Sequence, residues 1–202
     1  MPLALLCERA FSVLLPKRDA FLSVRQVRNM SGLLLSVPLA PLPGLEPVMA
    51  PDTRIVILCS YPGKDAFEKN EYYPGFQNEF WELMSAVLGH SLTDKSYEKR
   101  LQVLLSHGIG LWDVISACQS RGSLKTVLRE TRPEQLAYLK EKWPLLGKIC
   151  FNGQPSGEYA PLFEEAGFTT LVLPSSSFVY SKQSFETKLA QWLHILLVPD
   201  AV

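Results

Sequence analysis

The chain has 202 residues, 47% of them hydrophobic, which suffices for one domain with a buried core. Its 20 lysines and arginines balance 20 aspartates and glutamates, so no bulk charge draws it to nucleic acid, and any polyanion has to be met by a local basic face. The four cysteines Cys7, Cys59, Cys118 and Cys150 include no CxxC pair, which argues against a zinc site or an iron–sulfur cluster, and no apolar run is long enough to cross a bilayer.

Residues 1–43 stand apart from the rest. Short apolar clusters alternate there with Arg9, Lys17, Arg18, Arg25 and Arg28, opposed only by Glu8 and Asp19. This is the composition of an organellar, mitochondrial-type transit peptide, or more blandly of a poorly ordered extension or a true start at Met30. The expected location is that organelle if the segment targets, and the cytoplasm if the source is bacterial; Cys59, Cys118 and Cys150 read as reduced core thiols, as a cytosolic-type compartment requires. Five prolines between Pro38 and Pro51 form an extended lead-in to a domain over 44–202.

From Arg54 the pattern becomes regular. The unbroken apolar run 54–59 predicts a strand buried on both faces, ending in the loop Ser60-Tyr61-Pro62-Gly63. Helical periodicity follows over 78–88, closed by Gly89, and over 97–107, closed by Gly108. A strand is predicted at 110–115, a helix at 133–143 with Pro133 in its first turn, and a strand at 148–151 before Asn152-Gly153. A helix at 159–166, a strand at 169–173 before Pro174 and three serines, and a helix at 184–197 complete the chain. This alternation predicts an α/β three-layer sandwich, a central, mostly parallel four-stranded sheet flanked by helices. Ligands bind such sheets beyond the carboxyl ends of the strands, which directs attention to 60–63, 113–118, 152–153 and 174–177.

Those segments, in that order, resemble the deoxyinosine (hypoxanthine) DNA glycosylase branch of the uracil-DNA glycosylase superfamily. The family pattern G-S-x-P-G is met by Cys59-Ser60-Tyr61-Pro62-Gly63, and Y-Y-x-H-P-x-N-x-F-W by the stretch from Tyr72-Tyr73 to Asn78-Glu79-Phe80-Trp81. Gly108-Ile109-Gly110-Leu111-Trp112-Asp113-Val114, Phe151-Asn152-Gly153, Leu173-Pro174-Ser175-Ser176-Ser177 and Lys188-Leu189-Ala190-Gln191-Trp192 match four further family motifs. The likeness covers about 44–197. It departs at Cys59, where the family has glycine, at Gly75-Phe76-Gln77, where it has H-P-R, and at Phe178, where it has proline.

The resemblance implies that Asn78, at the asparagine of H-P-R-N, is catalytic. Its amide can accept from a water and donate at once, although a helix N-cap before Glu79 is the plainer role, and both can hold together. Ser60, Tyr61, Pro62 and Gly63 are expected to line a base pocket, or to be an ordinary strand-to-helix turn. Tyr73, more than Tyr72, is expected to stack on an everted base, the alternative being core packing. Asp113 stands where other superfamily members place a base-reading asparagine; a carboxylate there accepts the lactam N–H shared by hypoxanthine and uracil, unless it is a loop or cap aspartate. Asn152 is a second pocket amide or half of an Asn-Gly turn. Ser175, Ser176 and Ser177 are expected to grip phosphates and Phe178 to wedge into the duplex, or else to form a turn without a role. His90, His107 and His194 fall in no motif, and Trp112 and Trp192 read as core.

The expected activity is that of a monofunctional DNA glycosylase, a monomer needing no metal or other cofactor, that excises hypoxanthine, uracil or both from DNA. The altered loop motivates an alternative, a catalytically weakened damage-binding protein on the same fold. A small-molecule enzyme on a flavodoxin-like sheet is the third reading, against which stands the lack of G-x-G-x-x-G and P-loop patterns.

Overall fold

The structure is a computed structural model that describes residues 45–60, 62–76, 78–114, 136–178 and 182–197, and the backbone of 23–28 and 34–39. The chain divides into two compact units, Met1–Ala40 and Pro41–Val202. In the first, β1 (Ser23–Arg28) pairs antiparallel with β2 (Leu34–Leu39), Ser23 opposite Leu39 and Arg28 opposite Leu34. The β-branched Val24, Val27 and Val37 suit strand backbone, a local preference masked in the sequence by the arginines between them.

The second unit is built on four strands, β3 (Ile55–Cys59), β4 (Ile109–Asp113), β5 (Lys148–Asn152) and β6 (Thr169–Leu173). They are all parallel, in the order β4-β3-β5-β6. Apolar side chains alternate between two buried faces, which is why β3 and β5 read as unbroken hydrophobic runs. On one face Ile57, Leu111 and Cys150 pack with α2 (Phe80–Leu88), α3 (Tyr97–Ser106) and α7 (Phe185–Trp192), whose Trp192 is fully buried. On the other, Val56, Leu58, Ile149 and Phe151 pack with α4 (Ala137–Lys142) and α6 (Ala160–Glu165), through Leu139 and Phe163. The result is the three-layer sandwich expected from the alternation of elements.

Two short helices went unseen in the sequence, α1 (Lys64–Lys69) and α5 (Gln154–Gly157). The first buries only Ala66, so it carries no apolar stripe, and the second holds Pro155 and follows Gly153, both of which read as loop. The helix expected over 78–88 begins at Phe80, and that expected over 184–197 ends as α7 followed by a 3-10 turn, Leu193–Leu196. The strand expected at 110–115 runs Ile109–Asp113, because its start is set by pairing with Ile55 and not by Gly110. Residues 115–135, Cys118 and Pro133 among them, lie outside the described residues.

The lead-in covers the free edge of β4. Val48 N donates to Leu111 O and Leu111 N to Val48 O, each at 2.9 Å, so the edge is not left open for another chain. This approach requires Gly110, where a Cβ would lie 2.3 Å from Met49 Sδ and 2.7 Å from the Val48 carbonyl. At the amino end of the sheet, Lys148 Nζ donates to the carbonyls of His194, Ile195 and Leu197 at 2.6, 3.0 and 2.8 Å, tying the last turn to β5. Since all four strands point the same way, Cys59, Asp113, Asn152 and Leu173 end at one rim, opposite that anchor.

Candidate active site

At this rim a cavity of about 590 Å³ opens between the ends of the strands. Cys59, Ser60, Pro62 and Gly63 come to its wall from β3 and the loop beyond; Tyr72, Tyr73, Pro74 and Asn78 from the approach to α2; Asn152 and Pro155 from β5–α5; and Ser175, Ser176 and Ser177 from the loop after β6. Residues far apart in sequence therefore meet there. Tyr61 lies outside the described residues.

Asn78 is both cap and wall. Its Oδ1 accepts from Phe80 N at 3.0 Å, which fixes the amide plane at the start of α2. Oδ1 keeps a second lone pair and Nδ2 two protons, so the fixed amide can still hold a small ligand in the cavity it lines. The backbone beside it is pinned to the serine loop: Asn78 bridges Ser177, and Glu79 N donates to Ser176 O at 2.8 Å. Behind this joint the Glu79 carboxylate accepts from Lys188 Nζ in a buried ion pair. Lys188 is only 1% exposed and belongs to α7, so α7, α2 and the serine loop are locked together where Asn78 is presented.

Asn152 organises the floor. Its Nδ2 donates to Ser176 Oγ at 2.7 Å and its Oδ1 accepts from Ser176 N at 2.9 Å. Ser176 is fully buried by this double contact. The structure thus gives Ser176 a different place from the phosphate grip expected of it, because its hydroxyl is turned inward to Asn152. Ser175 and Ser177 stay half-buried on the wall, and Ser175 packs against Gly153, where a Cβ would meet it at 3.1 Å and φ is +99°. Phe178, just past the wall, is 53% exposed.

Tyr73 holds a left-handed backbone, φ +54°, and its ring stacks on Phe80 with centroids 3.9 Å apart. One ring face is therefore taken, and the core packing foreseen as the alternative to base stacking is realised on that face. Tyr72 is tied down through its hydroxyl, within 3.2 Å of Leu45 O and 3.3 Å of Glu46 O. Burial raises the pKa of the Tyr73 phenol, with Cys59 adding to the rise and the neighbouring Asn152 amide opposing it, so the hydroxyl is neutral. Asp113 ends β4 fully buried opposite Cys59 and is not among the described residues that line the cavity. Burial, reinforced by Asp113, likewise holds the Cys59 thiol protonated.

No motif or periodicity singles out Lys64 and Asp65, which α1 brings to the mouth of the cavity. Asp65 is the one carboxylate on the wall among the described residues, and a polar six-residue helix leaves no pattern by which to find it. Lys64 is turned to solvent, 3.5 Å from Glu68. Among the described residues no three His, Cys, Asp or Glu side chains cluster so as to hold a metal ion, and no helix is long and apolar enough to cross a membrane.

No family model matches the chain. Among curated relatives, a hypoxanthine DNA glycosylase of Methanosarcina acetivorans is 41% identical over 134 residues, 66% of this chain and 85% of its own. A hypoxanthine DNA glycosylase of Methanosarcina barkeri is 36% identical over 149 residues, 74% of this chain and 94% of its own. A solution NMR structure from Methanosarcina acetivorans, described as a candidate uracil DNA glycosylase, matches with a TM-score of 0.59 at 37% identity, over 75% of this chain and 96% of its own. With the parallel sheet and the converging loops, this identity over nearly the whole length of the relatives establishes that the chain belongs to the uracil-DNA glycosylase superfamily, in its hypoxanthine branch.

Proposed function

We propose that the protein is a DNA glycosylase that everts a deaminated base, hypoxanthine or uracil, into the rim cavity and hydrolyses its N-glycosidic bond. The observation that carries this reading is the Asn78 amide, fixed by Phe80 N and still facing the cavity. Asn78 orients the attacking water near C1′. As the bond breaks, positive charge grows on the sugar, near which the Asp65 carboxylate sits at the mouth, and negative charge grows on the departing base. Amide and hydroxyl donors on the floor, from Asn152 and the serine loop, meet that second charge. The products are the free base and an abasic site. Lys188 is bound to Glu79 and absent from the wall, and Lys64, at the mouth, is drawn toward Glu68; the fixed Asn78 amide makes water, not a lysine amine, the nucleophile of this reading.

The buried position of Asp113 moves the selection of a lactam from direct contact to the shape and polarity of the cavity wall. Ser175 and Ser177 contact phosphates beside the lesion, and Phe178 fills the gap left in the stack. A binding protein without turnover is disfavoured because Gly75 and Phe76 do not line the cavity; Phe76 points to solvent, 90% exposed. Duplex and single-stranded oligonucleotides carrying inosine or uracil test the reading. Release of the free base with an alkali-labile abasic site is expected, and binding without release contradicts it.

A further inference from the structure

Among the described residues two phenylalanines are more than half exposed, Phe76 at 90% and Phe178 at 53%, and no tryptophan is. Both belong to the joint that presents Asn78. Phe76 lies just before it in the chain, and Phe178 follows Ser177, to which Asn78 is bridged antiparallel. The other exposed large apolar residues are leucines at the opposite end. Leu193, Leu196 and Leu197 belong to the last turn, which Lys148 ties to the amino end of the sheet, and Leu145 precedes β5 at that same end. Exposed rings are thus confined to the rim where the cavity opens. Gly75, at φ +79°, turns the chain outward between Pro74 and Asn78, which both line the wall while Phe76 does not. A ring so placed is not in position for the everted base itself. Moving one base out of a strand uncovers two flat faces, one on each flanking base, and a nucleobase face is what an aromatic ring covers best at such a rim. Phe76 stands where the resembled family pattern has proline, so this ring is a feature of the chain and not of the pattern.

We propose that Phe76 is a stacking platform for one base flanking the everted nucleotide on the damaged strand, with Phe178 covering the face on the other side. Both faces belong to the same strand, so the contact needs no complementary strand. The protein therefore holds a lesion in single-stranded DNA by the same ring as in duplex. The proposal rests on the glycosylase reading and adds to it the strand class of the substrate.

Fluorescence anisotropy with duplex and single-stranded oligonucleotides carrying a 2′-fluorinated inosine, whose N-glycosidic bond resists hydrolysis, tests it. Phe76→Ala removes a ring that faces solvent and is not part of the core, so the variant folds as wild type. It should bind both damaged oligonucleotides about 5- to 150-fold more weakly, the range that one base–aromatic stack supplies. Undamaged duplex, in which no base face is uncovered, should be bound as by wild type. Phe76→Trp restores the affinity. Since the four native tryptophans are buried, the added emission of that variant reports position 76 and is quenched by damaged DNA. Leu145→Ala, an exposed apolar change at the far end, alters none of these results. Wild-type affinity of Phe76→Ala for damaged DNA, or equal weakening on undamaged duplex, overturns the proposal. A loss on duplex but not on single strand puts the ring against the opposite strand and overturns it as well. Release of hypoxanthine from an ordinary inosine strand is scored separately, and its absence in the wild-type protein overturns the glycosylase reading, not the stacking measurement.

Discussion

Replacing Lys188 by methionine keeps the apolar stem and removes the cation. The ammonium is 1% exposed and its Glu79 partner side chain 9%, so water cannot substitute for the lost charge. Breaking a buried pair from one side costs about 3–5 kcal/mol, because the remaining charge stays uncompensated. The lost contact with the Phe178 ring, 5.7 Å from Nζ, adds up to about 1 kcal/mol. For a unit of this size 1 kcal/mol is about 2–4 °C, so the midpoint of thermal unfolding should fall by about 6–24 °C. Urea unfolding followed by circular dichroism gives the free energy directly. Glu79→Leu should cost a similar amount, and the double variant much less than the sum of the two, by about 3 kcal/mol. Excision should slow with either single change, since the pair holds the backbone next to Asn78. A loss under about 1 kcal/mol for Lys188→Met, or an additive cycle, refutes the locked joint.

Two further perturbations probe the frame. Gly110→Ala should destabilise by about 1–3 kcal/mol, because its methyl would meet Met49 Sδ and the Val48 carbonyl, while Gly63→Ala, with nothing within 4 Å and φ −73°, should unfold like wild type; equal stabilities contradict the packed edge. Burial pushes the Cys150 thiol up to about 12 and raises the Cys59 and Tyr73 groups as well. Because these folded-state values lie above the unfolded ones, the stability they contribute is complete at neutral pH and is lost as pH rises past the unfolded thiol value of about 8.5. At pH 10 Cys150 alone should cost about 2 kcal/mol by linkage. Melting curves at pH 7, 8.5 and 10 should show a falling midpoint, and a flat profile opposes the assignment.

The frame was legible because its signals are local. An unbroken apolar run such as Ile55–Cys59 marks a strand covered on both faces, and once the strands are known to be parallel their carboxyl ends must share a rim. Motif order then named most of the wall, from Ser60 to Ser177. What stayed hidden depends on contacts between distant residues. The partner of Lys188 is Glu79, 109 positions away, and nothing in the spacing of either points to the other. That Ser176 faces Asn152 instead of solvent, and that Asp113 is buried away from the cavity lining, are outcomes of packing, to which serine and aspartate are equally suited on either side. The choice between base stacking and core packing for the Tyr73 ring depends on its contact with Phe80, which spacing alone does not reveal. Asp65 escaped because a short polar helix has no periodicity to read.

The most direct test is single-turnover release of hypoxanthine from an inosine-containing duplex by Asn78→Ala and Asn78→Ser. Serine retains a capping oxygen for α2 and lacks the amide, so it separates the two duties of this residue, of which the cap alone is worth about 1 kcal/mol of stability. Both variants should be slower than wild type by about 100- to 1,000-fold while Asn78→Ser keeps the wild-type fold and melting behaviour. Release at the full wild-type rate by Asn78→Ala would contradict the role given to this amide.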